Sequence, residues 1–281
     1  MSQDNPLRQY FRQPAIYLRL PSNGDFYPQG GIDLPPNREI PILPMTAIDE
    51  ITYRTPDALF NGTAVVNVIQ SCCPNIKNAW YVPAMDVDSL LVGIRIASYG
   101  HNMEFDTTCP HCGNTSTNAL DLRSVLDQMK SPDYKKSIQY RDLEIYFRPM
   151  TYKDMNDNNQ AQFEEQKILQ MLPDSTVPDE QKMEVLSAAL KKITEVTVGA
   201  LSQSIDAIKA PNALVNDNDN IKEFLQNCDR GLFNQIREHI IKIKEEAELK
   251  PFELTCDNPE CGKTYMQAVT LDMTSFFGGA S

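Results

Sequence analysis

The chain has 281 residues, 41% of them hydrophobic, which is enough to bury a core and excludes a disordered protein. Its net charge of −12 argues against nucleic acid as a partner, since binding a phosphate backbone requires clustered Lys and Arg. The short basic runs Lys135-Lys136, Lys191-Lys192 and Lys242-Ile243-Lys244 all have acidic neighbours and read as solvated helix faces.

The longest apolar runs, such as Leu90-Leu91-Val92-Gly93-Ile94, are too short to cross a bilayer, and Met1–Pro6 lacks the layout of a signal peptide. These features predict a soluble, cytosolic chain with no membrane partner.

Residues 1–45 hold many of the prolines together with Tyr10, Phe11, Tyr17, Phe26 and Tyr27, so a long helix is ruled out there. The expectation is an extended arm with strands at Ile16–Leu20 and Glu39–Leu43, turned at Pro21-Ser22-Asn23-Gly24 and lying on this protein's own body or on a neighbouring subunit. Residues 46–100 read as helical. A capping box at Thr46-Ala47-Ile48-Asp49 opens the first helix, Thr63–Cys73 forms a second that ends at Pro74, and a buried third through Ser89–Ser98 closes at Gly100.

Periodicity then changes. His101–Asp121 reads as strand, knuckle, strand, followed by a short helix or loop to Met129 and two strands, Ile138–Tyr140 and Leu143–Phe147. Residues 151–250 form a helical insertion: Thr151–Leu172, a linker Pro173–Pro178, a long helix from Glu180 to about Lys209, a polar loop Asn216–Asn220, and helices Ile221–Asn227 and Arg230–Leu249. Residues 251–281 return to strands at Phe252–Thr255 and Thr264–Leu271.

Seven cysteines, four of them in close pairs, suit a metal site in a reduced compartment better than a disulfide framework. Cys109-Pro-His-Cys112 and Cys256-Asp-Asn-Pro-Glu-Cys261 each run Cys, turn, Cys, Gly between strands, and together they supply the four thiolates of a tetrahedral structural zinc. Residues 101–150 and 251–281 would then form one zinc-ribbon-like β module, its metal clamping the ends of the insertion. The wider second spacing lies within the tolerated range, and the thiolate set leaves zinc or iron open. His111, in the first turn, reads as solvent-facing. Cys72, Cys73 and Cys228 read as small buried hydrophobes.

A redox Cys-x-x-Cys belongs at a helix N-terminus, whereas this one lies between strands. A catalytic zinc calls for His or Glu ligands and an open position, and the three histidines show no metal spacing. No phosphate-binding glycine loop, nucleophile elbow or His-Glu-x-x-His motif occurs, and Asp217 and Asp219 lack the glycine and distal Glu of a calcium loop. The chain is therefore read as no enzyme. The fold class is α+β: a mixed helical body with short β-hairpins and a zinc-ribbon-like element closed by two distant knuckles.

The ordered words Leu20-Pro21-Ser22-Asn23-Gly24-Asp25-Phe26-Tyr27, Met45-Thr46 with Asp49-Glu50, Leu59-Phe60-Asn61-Gly62, Arg95-Ile96-Ala97-Ser98-Tyr99-Gly100 and Cys109–Gly113 resemble the baseplate hub proteins of T-even-type contractile-tailed phages. The resemblance covers roughly the first 120 residues. It implies a structural or assembly protein in a hetero-oligomer with other baseplate and tail proteins, located in the virion and, during assembly, in the host cytoplasm. Its N-terminal arm, Phe26 and Tyr27 included, would contact a neighbouring subunit. The alternatives are a tail-assembly chaperone absent from the mature particle, for example one acting on the tape-measure protein, and a zinc-ribbon regulator that binds nucleic acid.

Overall fold

A computed structural model describes residues 5–53, 55, 61–171 and 179–268. The expectations for Leu59-Phe60, the linker Pro173–Pro178 and the strand end Val269–Leu271 lie outside the described residues. The fold is α+β, with helices and short antiparallel sheets. The chain divides into two compact units: one takes residues up to Ala79, Met85–Ser131 and the segment from Glu248; the other takes Trp80–Ala84 and Pro132–Ala247.

In the first unit, β1 (Ile16–Arg19) pairs antiparallel with β2 (Glu39–Ile42), Ile16 opposite Ile42. Alternation puts Leu18, Leu20, Ile40 and Ile42 on one buried face. Helix α1 (Ala47–Tyr53) opens with the expected box: Thr46 Oγ1 accepts from the Asp49 N–H at 3.2 Å, and Asp49 Oδ2 accepts from the Thr46 N–H at 2.8 Å. Helix α2 (Thr63–Cys72) buries Val65, Val68, Ile69 and Cys72, and helix α3 (Ala84–Tyr99) buries Leu90 to Ile94. A Cβ on Gly93 would lie 3.2 Å from Leu18, so the hairpin sits directly on α3. The proline-rich stretch is thus core over its two strands, because their apolar faces have this helix to cover them. Burial pushes the Cys72 thiol up to about 11 and Cys73 well above its ordinary value, as befits inert packing residues.

Asp86, in the first turn of α3, is fully buried and accepts from the Ser22 N–H (2.9 Å), the Ser22 hydroxyl (2.5 Å) and the Tyr27 hydroxyl (3.0 Å). Burial outweighs these three donors and raises its pKa to about 6. A carboxyl whose folded-state pKa lies above the unfolded value of about 3.9 adds stability that is complete below that value and is lost as pH rises through about 6. Asp86→Asn mimics the protonated form, so its stability relative to wild type should improve by on the order of 2–3 kcal/mol between pH 4 and pH 7. Urea melts of both proteins at the two pH values measure this, and a difference independent of pH would contradict it.

The β3 strand (Asn102–Thr108) pairs in full register with β4 (Thr115–Asp121), and α4 (Leu122–Gln128) follows with Asp121 as its cap. Late in the chain, β9 (Phe252–Thr255) pairs with β10 (Thr264–Gln267).

The second unit centres on a four-stranded antiparallel sheet, β5 (Ile138–Tyr140), β6 (Leu143–Phe147), β7 (Ile205–Ala210) and β8 (Ala213–Val215), adjacent in that order. Helices α5 (Tyr152–Met171) and α6 (Asp179–Gln203) pair, with buried Glu165 meeting Lys192 at 2.8 Å. Helices α7 (Asn218–Asn227) and α8 (Arg230–Ala247) complete a core of Ile145, Phe147, Leu201, Ile205, Ile221, Leu232, Ile236 and Ile240.

Three expectations are corrected here. The long helix stops at Gln203 instead of running to about Lys209, because Ser202 and Ser204 turn their hydroxyls onto the Gly199 and Ala200 carbonyls and Ile205–Ala210 finds β6 as a partner. The polar run Asn216–Asn220 is a helix start and no loop, since the Asp217 carboxylate caps α7 by accepting from the Asn220 N–H at 3.0 Å. Of the two strands expected in the zinc-ribbon-like module, Leu143–Phe147 pairs instead with Ile205–Ala210, and Ile138–Tyr140 joins that sheet by pairing with Leu143–Phe147. Among the described residues, no helix is long and apolar enough to cross a membrane.

Candidate metal centre

Each knuckle is a hairpin end. In the first, the Cys109 N–H donates to the Asn114 carbonyl and the Gly113 N–H to the Cys109 carbonyl, both at 2.9 Å. In the second, the Cys256 N–H donates to the Lys263 carbonyl and the Gly262 N–H to the Asn258 carbonyl, both at 3.0 Å. Gly113 (φ +73°) and Gly262 (φ +54°) occupy the left-handed region that lets the chain turn out of the knuckle, which is why Gly follows the second Cys in both.

The structure brings all four predicted cysteines together, with their sulfurs within 4.8 Å of one another. Cys112 Sγ lies 3.6 Å from Cys256 Sγ, and Cys109 Sγ lies 4.0 Å from Cys261 Sγ. Sulfurs at the corners of a tetrahedron around a metal about 2.3 Å away stand about 3.8 Å apart. A disulfide would bring two of them to about 2.05 Å. The donor set and its spacing therefore fit a tetrahedral thiolate-bound metal.

Electrostatics point the same way. Burial raises the Cys109 pKa, but the His111 and Cys112 backbone N–H groups aimed at its sulfur outweigh this and bring it to about 7. The Asn258 N–H lowers that of Cys256, while burial and the three neighbouring sulfurs together push it up to about 12. Four sulfurs this close cannot all ionise without a cation, and a bound divalent metal supplies one. Cys109 and Cys256 are buried, Cys112 faces solvent and Cys261 is half-buried. His111 is exposed, as its place in the turn predicts.

Sequence reasoning missed one partner of this centre. Tyr265 is buried against the cysteines, and its hydroxyl lies 2.7 Å from Thr107 Oγ1, which in turn accepts from Asn118 Nδ2 at 2.8 Å. The signal was present: Tyr265 in β10 and Thr107 in β3 both occupy inward positions of the period-2 pattern beside a knuckle. Tyr265→Phe should lower stability by about 1–2 kcal/mol while metal stoichiometry stays unchanged, measured by thermal melts alongside metal analysis.

A family model described as T4 bacteriophage base plate protein matches residues 38–278. No curated protein matches the chain, and no solved structure does.

Proposed function

The chain belongs to the family of T4 bacteriophage base plate proteins, and from that premise we propose that it is a structural subunit of the central baseplate hub, working through protein–protein contacts. It carries out no catalysis, and zinc in the four-cysteine centre staples one pair of strands to another. The family match over residues 38–278 carries this reading. Support for the hub in particular comes from the ordered words between Leu20 and Gly113. A set of four thiolates, joined by no His or carboxylate among the described residues, supports a closed, structural zinc over a catalytic one.

Cys109, Cys112, Cys256 and Cys261 would hold the metal, joining β3–β4 to β9–β10 across more than a hundred residues of intervening chain. Such a staple rigidifies a chain that has to hold its shape within a large assembly.

Mass spectrometry of purified virions and of isolated central hubs tests the reading. The protein is expected in both. Its presence in virions but absence from hubs would contradict the hub role, and absence from virions would favour an assembly factor.

A further inference from the structure

The two knuckles repeat in sequence, yet the structure does not place their cysteines equally. The first cysteine of each is buried, Cys109 to 2% exposure and Cys256 to 5%. Backbone N–H groups are aimed at both sulfurs, those of His111 and Cys112 at Cys109 and that of Asn258 at Cys256. The second cysteines differ. Cys261 is half-buried and packs, as Leu254 does, against the cluster of Cys109, Cys256 and Tyr265. Cys112 reaches the sulfurs from the solvent side: its Sγ stands 3.6 Å from that of Cys256, while the residue itself and its neighbours Pro110, His111 and Gly113 are all exposed.

Three of the sulfurs are therefore set among packed side chains, and the fourth closes the tetrahedron from a solvent-facing turn. Packing shields a thiolate from soluble reagents, whereas an accessible one can be modified or displaced. The difference is invisible in the sequence, where Cys112 and Cys261 occupy the same place in their knuckles, each just before a glycine.

We propose that Cys112 is the gate ligand of the metal centre, the last to close on an incoming divalent metal and the first to yield to a competing thiol, chelator or electrophile. The inference rests on the zinc reading above and adds an order to it. Iodoacetamide would join its carbon to Cys112 Sγ and expel iodide, leaving a neutral thioether in place of the thiolate and opening the fourth position. At this exposed corner solvent can stand in for a lost sulfur. A corner set in the cluster of Cys109, Cys256 and Tyr265 has no such substitute.

The test treats the zinc-loaded full chain with less than one equivalent of iodoacetamide, locates the label by peptide mass spectrometry and follows freed zinc with a colorimetric chelator. Among the four cysteines, Cys112 should take about tenfold more label than any other, with zinc appearing in step. Exposure alone would also direct the label, so Cys112→Ser and Cys261→Ser are compared as well. With zinc in excess, Cys112→Ser should keep the amide protection of residues 252–268, and on transfer to EDTA it should lose zinc about tenfold faster than wild type. Cys261→Ser should lose that protection even in excess zinc. Equal labelling of the four cysteines, first label at Cys109, Cys256 or Cys261, or two variants that behave alike overturns the order and leaves the zinc reading standing. A wild-type chain that binds no zinc, its four thiols reacting at one rate with and without added zinc, overturns both.

Discussion

Cys256→Ser is expected to abolish metal binding and to undock the β9–β10 hairpin without unfolding the rest of its unit. Three thiolates cannot close the tetrahedral site, and the free energy of binding a structural metal is folding free energy for the elements it joins. Apart from the proposed metal, those elements share the small cluster of Cys109, Leu254, Cys256, Cys261 and Tyr265 and the Thr107–Tyr265 bond. By contrast α2, α3 and the β1–β2 hairpin have an apolar core of their own, with Leu20, Ile40, Ile42, Ile69, Leu90 and Leu91 fully buried. Amide exchange in 252–268 should therefore accelerate by about 10²- to 10³-fold, corresponding to about 3–4 kcal/mol of lost local stability, while Val65–Ile69 and Leu90–Ile94 stay protected. Unchanged protection of the hairpin would show that the thiolates staple nothing.

The other large effect is expected in the second unit. Ile236 is fully buried at the meeting of α8 with Ile145, Phe147, Ile221 and Leu225. Ile236→Ala removes three carbons from a closely packed site, and with partial relaxation of the cavity this costs about 2–5 kcal/mol. Urea unfolding followed by tryptophan emission is a suitable measurement, because the single Trp80 stacks on Tyr152 within this unit, ring centroids 5.7 Å apart. A loss below about 1 kcal/mol would mean that α8 does not pack as described.

How much of this was legible in the sequence follows from the range of the interactions. Local signals read true where the determinant is local: the Thr46/Asp49 box, the strand–knuckle–strand pattern around Cys109, and the 3.6-residue spacing of Leu232, Ile236, Ile240 and Ile243. The reading failed where a distant partner decides. Ile205–Ala210 is periodic enough to prolong α6 and becomes a strand because β6 and β8 flank it. In the proline-rich stretch the two strands were legible, whereas the choice between this protein's own body and a neighbouring subunit was not, because nothing in residues 16–42 reveals that α3 covers the hairpin or that Asp86 reaches Ser22 and Tyr27. At the candidate centre, the four cysteines were visible as a repeated pattern, whereas the Thr107–Tyr265 bond links residues 158 positions apart by chemistry that any strand could carry.

The account stands or falls on the metal, and elemental analysis of the wild-type chain purified without chelator measures it directly. It should contain one zinc per chain, released when the four thiols are titrated with a mercurial reagent. A chain carrying no stoichiometric metal, with Cys109, Cys112, Cys256 and Cys261 all freely alkylated in the folded state, would contradict the account.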